Sequence, residues 1–367
     1  MIRLKLLDKY IFKQVFFAFL VCVILFMIVW IAPETLLRTV QRTLSGQYTV
    51  HFAIQVLLME IPKILGYALP IGIFLGSLFT FDKLSKDFEV TVIRSFGVPF
   101  HRIIAPVFFL SIIICLITYH VNDTLIPYVT VIKQRVQHEN PSSHFVFPMK
   151  DKDNRMSKII IVSNFDNNEI NDVVVLNFYS NENGASLLSS IDISDYARYD
   201  NSRWVLDEAK CYKISTEGVF QEALIKNNIT VIEGQTGENA YRLMKYSVKE
   251  DRELTNKELY KYIALLKAEK MTDEYNFMMN KLIQRVSHSL MCILFAILGC
   301  LLGFSQPREQ RLIGFTIAVA IIFAYYITMP FLDLLAEKSI MSPFLTSTLA
   351  MIITVFAILL VKIKRDL

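Results

Sequence analysis

A polar middle is clamped between two long apolar ends, and this divides the chain between two solvents. Residues from about Phe12 to Pro127 and from about Met278 to Val361 are dominated by apolar runs; the roughly 150 residues between them read as an ordinary water-soluble β domain. A helix needs about 20 predominantly apolar residues to cross a bilayer. Six segments qualify: Phe12–Ile31, Phe52–Phe81, Ile103–Ile126, Met278–Phe304, Leu312–Leu332 and Phe344–Val361. The second is overlong and holds Glu60, Pro62, Lys63, Gly66 and Pro70. Its outer part is expected to be interfacial or kinked, because proline removes a helix hydrogen bond. A hydrophobic fraction of 53% exceeds the roughly 45–50% of soluble domains. A chain that crosses a bilayer three times, folds a domain outside and crosses three times more is built to move or pass something on, not to catalyse on its own.

Charge placement orients the chain. With the N-terminus in the cytoplasm, the inside segments carry Arg3, Lys5, Lys9, Lys13, Lys83, Lys86, Arg94, Arg102, Arg308, Arg311, Lys362, Lys364 and Arg365. The short outside loops carry Arg38, Arg42 and Lys338. The positive-inside rule then puts both termini in the cytoplasm and the β domain outside. The apolar run after the charged start is too long for a cleaved signal peptide, and Ala32-Pro33-Glu34 offers no small-x-small site. Met1 to Lys13 is expected to form a surface helix leading into the first span. Of the five cysteines, Cys22, Cys115, Cys292 and Cys300 fall in spans, so Cys211 has no partner for a disulfide within the domain.

Seven strand candidates fill the middle: His144–Met149, Lys158–Phe165, Asp172–Tyr179, Ser186–Tyr199, Trp204–Ile214, Phe220–Ile225 and Ile229–Ile232. They are rich in Val, Ile, Tyr and Phe. Turn chemistry separates them at Asp166-Asn167-Asn168, Asn183-Gly184, Asp200-Asn201-Ser202 and Glu217-Gly218. Short strands without helices between them imply an antiparallel sandwich or jelly roll. Trp204 and Leu206 share parity with Tyr212 and Ile214, but Glu208 and Lys210 interrupt them, which suggests a bulge or an edge. Thr255 with Glu258 makes a capping box for a helix through about Ala268, leading back to the membrane.

Three constellations stand out. Ser85 to Phe96, between spans two and three, has an acidic start and a Gly97-Val98-Pro99 end, so it reads as a short helix. Phe88, Val92 and Phe96 fall at i, i+4 and i+8 on one face, with Glu89 and Arg94 beside it. Such a helix suits docking to a cytoplasmic partner; the competing reading is an ordinary charged loop. Lys281, Arg285 and His288, with Gln284, form a basic stripe in the outer half of span four. Charge within a bilayer is costly and usually faces a cavity or a partner, so the stripe either meets the phosphate or carboxylate of an amphipathic substrate or snorkels to the interface. Arg38 and Arg42, four apart outside span one, either guide an anionic lipid or are plain helix-surface charge. Glu60 and Lys63 are expected to pair with each other, and His120, Asn122 and Asp123 to cap the outer end of span three. No metal-ligand cluster is evident. Phosphate-loop, nucleophile-elbow and zinc-protease motifs are missing from the sequence. If ATP drives this protein, another chain hydrolyses it.

Together these residues resemble the LptF/LptG permease family of lipopolysaccharide export, over essentially the whole chain. Leu7-Asp8-Lys9-Tyr10-Ile11 looks like the family's N-terminal L-D-R-Y-I. Leu69-Pro70, Phe74-Leu75-Gly76, Lys83-Leu84, Glu89-Val90-Thr91-Val92 and Gly97 follow its second span and coupling helix in order. Val121-Asn122-Asp123 with Pro127, Leu259 to Leu266, Gly299 to Gly303 and Tyr325-Tyr326 are similar to later family features. The resemblance implies a pair of homologous permeases on a dimeric cytoplasmic ABC ATPase, with ATP and magnesium on that ATPase and no cofactor on this chain. It further implies that lipopolysaccharide enters a cavity between the permeases and passes through periplasmic β-jelly-roll domains toward LptC/LptA-like proteins. Glu89 would contact the ATPase, and Phe12–Ile31 and Leu312–Leu332 would form lateral gates. Family members often carry a basic residue near the outer end of span one; Glu34 occupies that neighbourhood here, which draws attention to Lys281 and Arg285.

The sequence therefore predicts an inner-membrane protein of six spans, 3+3, with an inserted periplasmic jelly roll. Its expected parts are 1–127 (membrane half with a coupling helix at about 85–96), 128–253 (jelly roll), 254–275 (connecting helix) and 276–367 (second membrane half). The expected role is a non-catalytic permease subunit of an ATP-driven lipopolysaccharide exporter, with no nucleic-acid partner. The alternative is a membrane-anchored assembly or receptor protein whose β domain binds a partner without a transport cycle.

Overall fold

The computed structural model describes residues 6–31, 36–46, 48–137, 145–150, 155–166, 169–180, 186–200, 202–215, 220–247, 249, 251–304 and 312–364. The charges at Arg3, Lys5, Arg308, Arg311 and Arg365, the acid Glu34, and the turn residues Asn167, Asn168, Asn183, Gly184, Asn201, Glu217 and Gly218 lie outside the described residues. Contacts divide the chain into two units: Met1–Lys133 with Asn276–Leu367, and Gln134–Tyr275.

The membrane unit follows the apolar runs. Its long helices are α1 (Leu6–Ile31), α3 (Val50–Lys86) and α5 (Phe100–His120) in the first half. Short helices α2 (Leu37–Leu44) and α4 (Glu89–Ser95) sit before and after α3. A π-helical turn, Val121–Leu125, carries α5 into α6 (Ile126–Gln137). The second half is α9 (Thr272–Gly303), α10 (Leu312–Glu337) and α11 (Pro343–Lys364). Six of these stretches are long and apolar enough to cross a membrane. Asn122 and Asp123 therefore do not cap span three: the helix runs on, and Asn122 Nδ2 donates to the Thr118 carbonyl at 2.8 Å. Nor does Glu60 pair with Lys63. Its partner is Lys133, 73 residues away, a pairing no local spacing could indicate.

α3 and α9 form the covered centre, while α1, α10 and α11 keep most of their apolar surface open. Lipid tails are as apolar as leucine, so helix association in a bilayer rests on close packing. A Cβ at Gly299 would overlap Ser77 Oγ and the Phe74 carbonyl, so only glycine lets α9 approach α3 this closely. The Phe74 and Phe295 rings stack beside it at 5.0 Å. The two helices run parallel, since Gly66, Phe74 and Ser77 meet His288, Phe295 and Gly299 in the same order. Thr49 caps α3, accepting from the Phe52 amide at 3.4 Å. The helix then continues unbroken through Pro62 and Pro70.

The second unit holds one eight-stranded antiparallel sheet: β1 (Phe145–Lys150), β2 (Met156–Asp166), β3 (Glu169–Ser180), β4 (Ser186–Asp200), β5 (Arg203–Asp207), β6 (Ala209–Ile214), β7 (Phe220–Lys226) and β8 (Ile229–Ile232). Strands β1 to β4 pair in sequence order, and the sheet then forks at the long β4, to β5–β8 on one branch and β6–β7 on the other. Alternation buries one face, with Phe145, Phe147, Ile160, Val162, Val173 and Val175 inside. The single strand expected over Trp204–Ile214 is two. Glu208 adopts a left-handed φ of 49°, and the buried parity shifts from Trp204 and Leu206 to Ala209 and Cys211. Burial pushes the Cys211 thiol up to about 11, aided by a hydrogen bond with Asp192.

Two helices complete this unit. α7 (Gly234–Ser247) was not foreseen; it buries Ala240, Leu243 and Met244, and Trp204 Nε1 donates to its Gly237 carbonyl at 2.9 Å. α8 (Asn256–Ala268) carries the expected capping box. Partial burial raises the Glu258 carboxyl, but the Thr255 amide and Lys249 outweigh it and hold the group below its ordinary value.

Candidate functional site

Helix α4 is shorter than the predicted Ser85–Phe96. Ser85 belongs to α3, which runs to Lys86, and the chain turns through Phe88 in a left-handed conformation, φ 57°. The seven residues Glu89–Ser95 then form the helix, and Gly97 at φ 81° releases the chain into Pro99 and α5. The inner face is anchored: Val90 is fully buried in a cluster with Ile11, Phe100 and Ile103, and Ile93 packs against it. The outer face is open, with Phe88, Val92 and Phe96 exposed by 53%, 52% and 81%. All three residues expected on one face are exposed, but Phe88 stands in the left-handed turn before the helix and Phe96 just after it, so Val92 alone lies on α4 itself.

Two long-range polar contacts flank this element. Tyr10 donates its hydroxyl to Glu89 Oε1 at 3.0 Å. Arg102 Nη2 donates to Asp8 Oδ2 at 2.7 Å, with Asp8 itself buried. Ile11 is fully buried in the same cluster as Val90, with Leu7 packed against it. The start of α1 therefore grips both α4 and the start of α5. Arg94 lies over the Phe304 ring, 5.5 Å from its centroid, tying α4 to the end of α9.

The basic stripe lies toward the other end of α9, about 35 Å away at 1.5 Å per residue from Lys281 to Phe304. There Lys281 Nζ meets Asp333 Oδ2 at 2.6 Å. Asn280 and Gln284 donate to Asp333 Oδ1 at 2.8 and 3.0 Å. Thr346 donates to Asn280 Oδ1 at 2.8 Å. One carboxylate on α10 thus gathers donors from α9 and, through Asn280, reaches α11. A partly buried ion is held by such a complement of partners. Asp333 escaped the sequence reading because the apolar run was ended at Leu332; an acid one residue past a span is the signal that would have found it.

His288 serves a carbonyl that Pro70 leaves without a helical donor. Pro70 has no N–H, so the Gly66 carbonyl lacks its usual helical donor. His288 Nε2 reaches that carbonyl at 3.2 Å, and Nδ1 meets the Tyr325 hydroxyl at 2.9 Å. These partners assign the proton to Nε2, with Nδ1 accepting from Tyr325. Beside it Tyr326 donates to the Tyr67 carbonyl at 3.0 Å, and Trp30 stacks on Tyr67 at 6.0 Å. Arg285 is half-buried, and its carbonyl accepts from Ser289 at 2.8 Å. Arg38 and Arg42 lie exposed on α2, away from the stripe in sequence. Arg42 donates to the Tyr48 hydroxyl at 2.5 Å and lies 5.4 Å over that ring. The structure thus joins Lys281 and His288 to partners within the helix bundle and keeps Arg38 and Arg42 on a separate surface helix. Among the described residues no group of side chains is arranged to hold a metal ion.

Comparison with known proteins adds one finding. The family model described as lipopolysaccharide export system permease LptF/LptG matches residues 9–364. No curated protein matches the chain.

Proposed function

The chain belongs to the LptF/LptG family of lipopolysaccharide export permeases, and on that premise we propose that it is the non-catalytic transmembrane half of an ATP-driven exporter. Nucleotide hydrolysis, with its ATP and magnesium, belongs to a cytoplasmic ABC ATPase dimer. A homologous permease completes the membrane part. Both termini are cytoplasmic and the β domain is periplasmic, as the placement of lysine and arginine favours. Cargo leaves through the β domain toward LptC/LptA-like jelly-roll proteins.

The observation that carries this reading is α4. Val92 on the helix and Phe88 and Phe96 at its two ends are exposed beside Glu89, while Val90 is buried on the inner side. An exposed apolar patch rimmed by charge is the usual form of a protein interface. A partner that pushes on this face moves α1 and α5 with it, through Tyr10–Glu89 and Asp8–Arg102. The open flanks of α1 and α10 are the lateral gates, and Arg38, Arg42 and Arg285 are the candidates to meet lipid phosphates, with Lys281 and His288 joining them only if they leave their present partners. Gating is then a two-state shift of rigid helices biased by partner contacts.

Glu89→Lys tests it. The variant is expected to insert normally, to lose the ATPase on purification and to stop lipopolysaccharide reaching the cell surface. Normal export by Glu89→Lys would remove the coupling role.

A further inference from the structure

The β-domain unit contains a groove of about 860 Å³ between α7 and α8 that nothing above uses. Its rim is cationic: Arg242, Lys245 and Lys249 come from α7 and the turn after it, and Lys261 from α8. Ala264 and Ala268 contribute small apolar surface to the lining. One carboxylate, Glu258, lies among these cations and is taken up by Lys249 at 3.0 Å. Arg242 pairs with Glu238 at 2.6 Å. No described carboxylate pairs with Lys245 or Lys261, and both are exposed. The groove therefore holds positive charge in excess over an apolar floor, which is the complement of an amphipathic anion.

We propose that this groove binds the phosphate-bearing head group of an anionic membrane lipid. Two observations favour a lipid over an acidic protein. First, α8 is joined to α9, a membrane-spanning helix, by only Glu269–Met271. That link is a tight turn: the Met271 amide donates to the Leu266 carbonyl at 3.0 Å, and Lys270 adopts a left-handed φ of 58°. In sequence, the helix that lines the groove is thus three residues from the start of a membrane-spanning helix. Second, the apolar face of α8 is packed inside the unit and its solvent face carries Lys257, Tyr260, Lys261 and Lys267, so the helix offers mainly cations to an anionic bilayer surface beside it. The inference rests on the membrane placement of α9 and not on the ATPase or on transport, so the two readings fail separately.

The test uses the full-length chain in nanodiscs, without nucleotide or partner, with a photo-crosslinking amino acid at Ala264. One set of discs holds phosphatidylcholine alone and a second adds phosphatidylglycerol. Phosphatidylglycerol is expected to be captured well above its share of the bilayer. Each lysine near an anionic surface contributes roughly a fivefold preference, so Lys245→Glu with Lys261→Glu should cut capture by more than tenfold. Lys245→Gln with Lys261→Gln should cut it less, with unchanged thermal unfolding, and Lys210→Glu on the sheet should leave it intact. Capture in proportion to bilayer composition overturns the proposal. So does indifference to the lysine changes, capture of a co-purified protein in place of lipid, or full competition by millimolar inorganic phosphate.

Discussion

The two ends of the membrane unit are built on opposite plans. Around Asp333, polar groups satisfy one another: Asn280, Lys281 and Gln284 all reach a single carboxylate, and Thr346 braces Asn280. Around α4, the exposed Tyr10–Glu89 contact ties the helix to α1, and Phe88, Val92 and Phe96 are left uncovered. The difference teaches where stability and where response reside. Groups that complete one another within the chain resist movement, whereas an anchored element with an uncovered face is completed by something else. Parallel packing of α3 and α9 along their lengths lets a displacement at one end be felt at the other without a flexible joint.

The comparison breaks first at Asp333. Asp333→Leu removes the carboxylate that Lys281, Asn280 and Gln284 share and should lower unfolding stability in detergent by about 3–5 kcal/mol. Adding Lys281→Met should restore most of it. A loss no larger than the roughly 0–1 kcal/mol of a surface pair such as Arg198–Asp207 would mean that the node is not closed. Next is His288→Phe, which leaves the Gly66 carbonyl and the Tyr325 hydroxyl without their partner and should cost about 1–3 kcal/mol in the same melt. At the α4 end the effects on stability should shrink while those on function grow. Tyr10→Phe deletes one hydrogen bond, about 1 kcal/mol; hydrogen exchange should show faster opening of α4 with the rest of the unit unchanged. Smallest is Phe96→Ser, expected within about 0.5 kcal/mol of the parent in thermal unfolding yet weakened in partner co-purification. If Phe96→Ser destabilises as much as Asp333→Leu, the two ends are not different in kind.

The sequence made the spans and most strands legible because both are written in local periodicity. The capping box at Thr255 and Glu258 was legible for the same reason. Features set by distant contacts were not. Glu60 looked paired to Lys63 three residues away, but tertiary packing brings Lys133. Asp333 meets a lysine 52 residues earlier. α7 begins Gly234-Gln235-Thr236-Gly237, which reads as a turn, and only the i, i+3, i+4 spacing of Ala240, Leu243 and Met244 betrays its buried face. The interruption at Glu208 was readable as a bulge or an edge, but the left-handed conformation that splits Trp204–Ile214 into two strands was not. For the candidate site, the spacing of Phe88, Val92 and Phe96 was readable in the sequence, whereas the Tyr10–Glu89 and Asp8–Arg102 contacts needed the fold.

The most direct measurement is photo-crosslinking in living cells from Val92, at the centre of the open face. The account predicts a single major adduct with a nucleotide-binding subunit, lost when Glu89→Lys is introduced. Adducts with lipid alone, or with proteins from the β-domain side of the membrane, would contradict it.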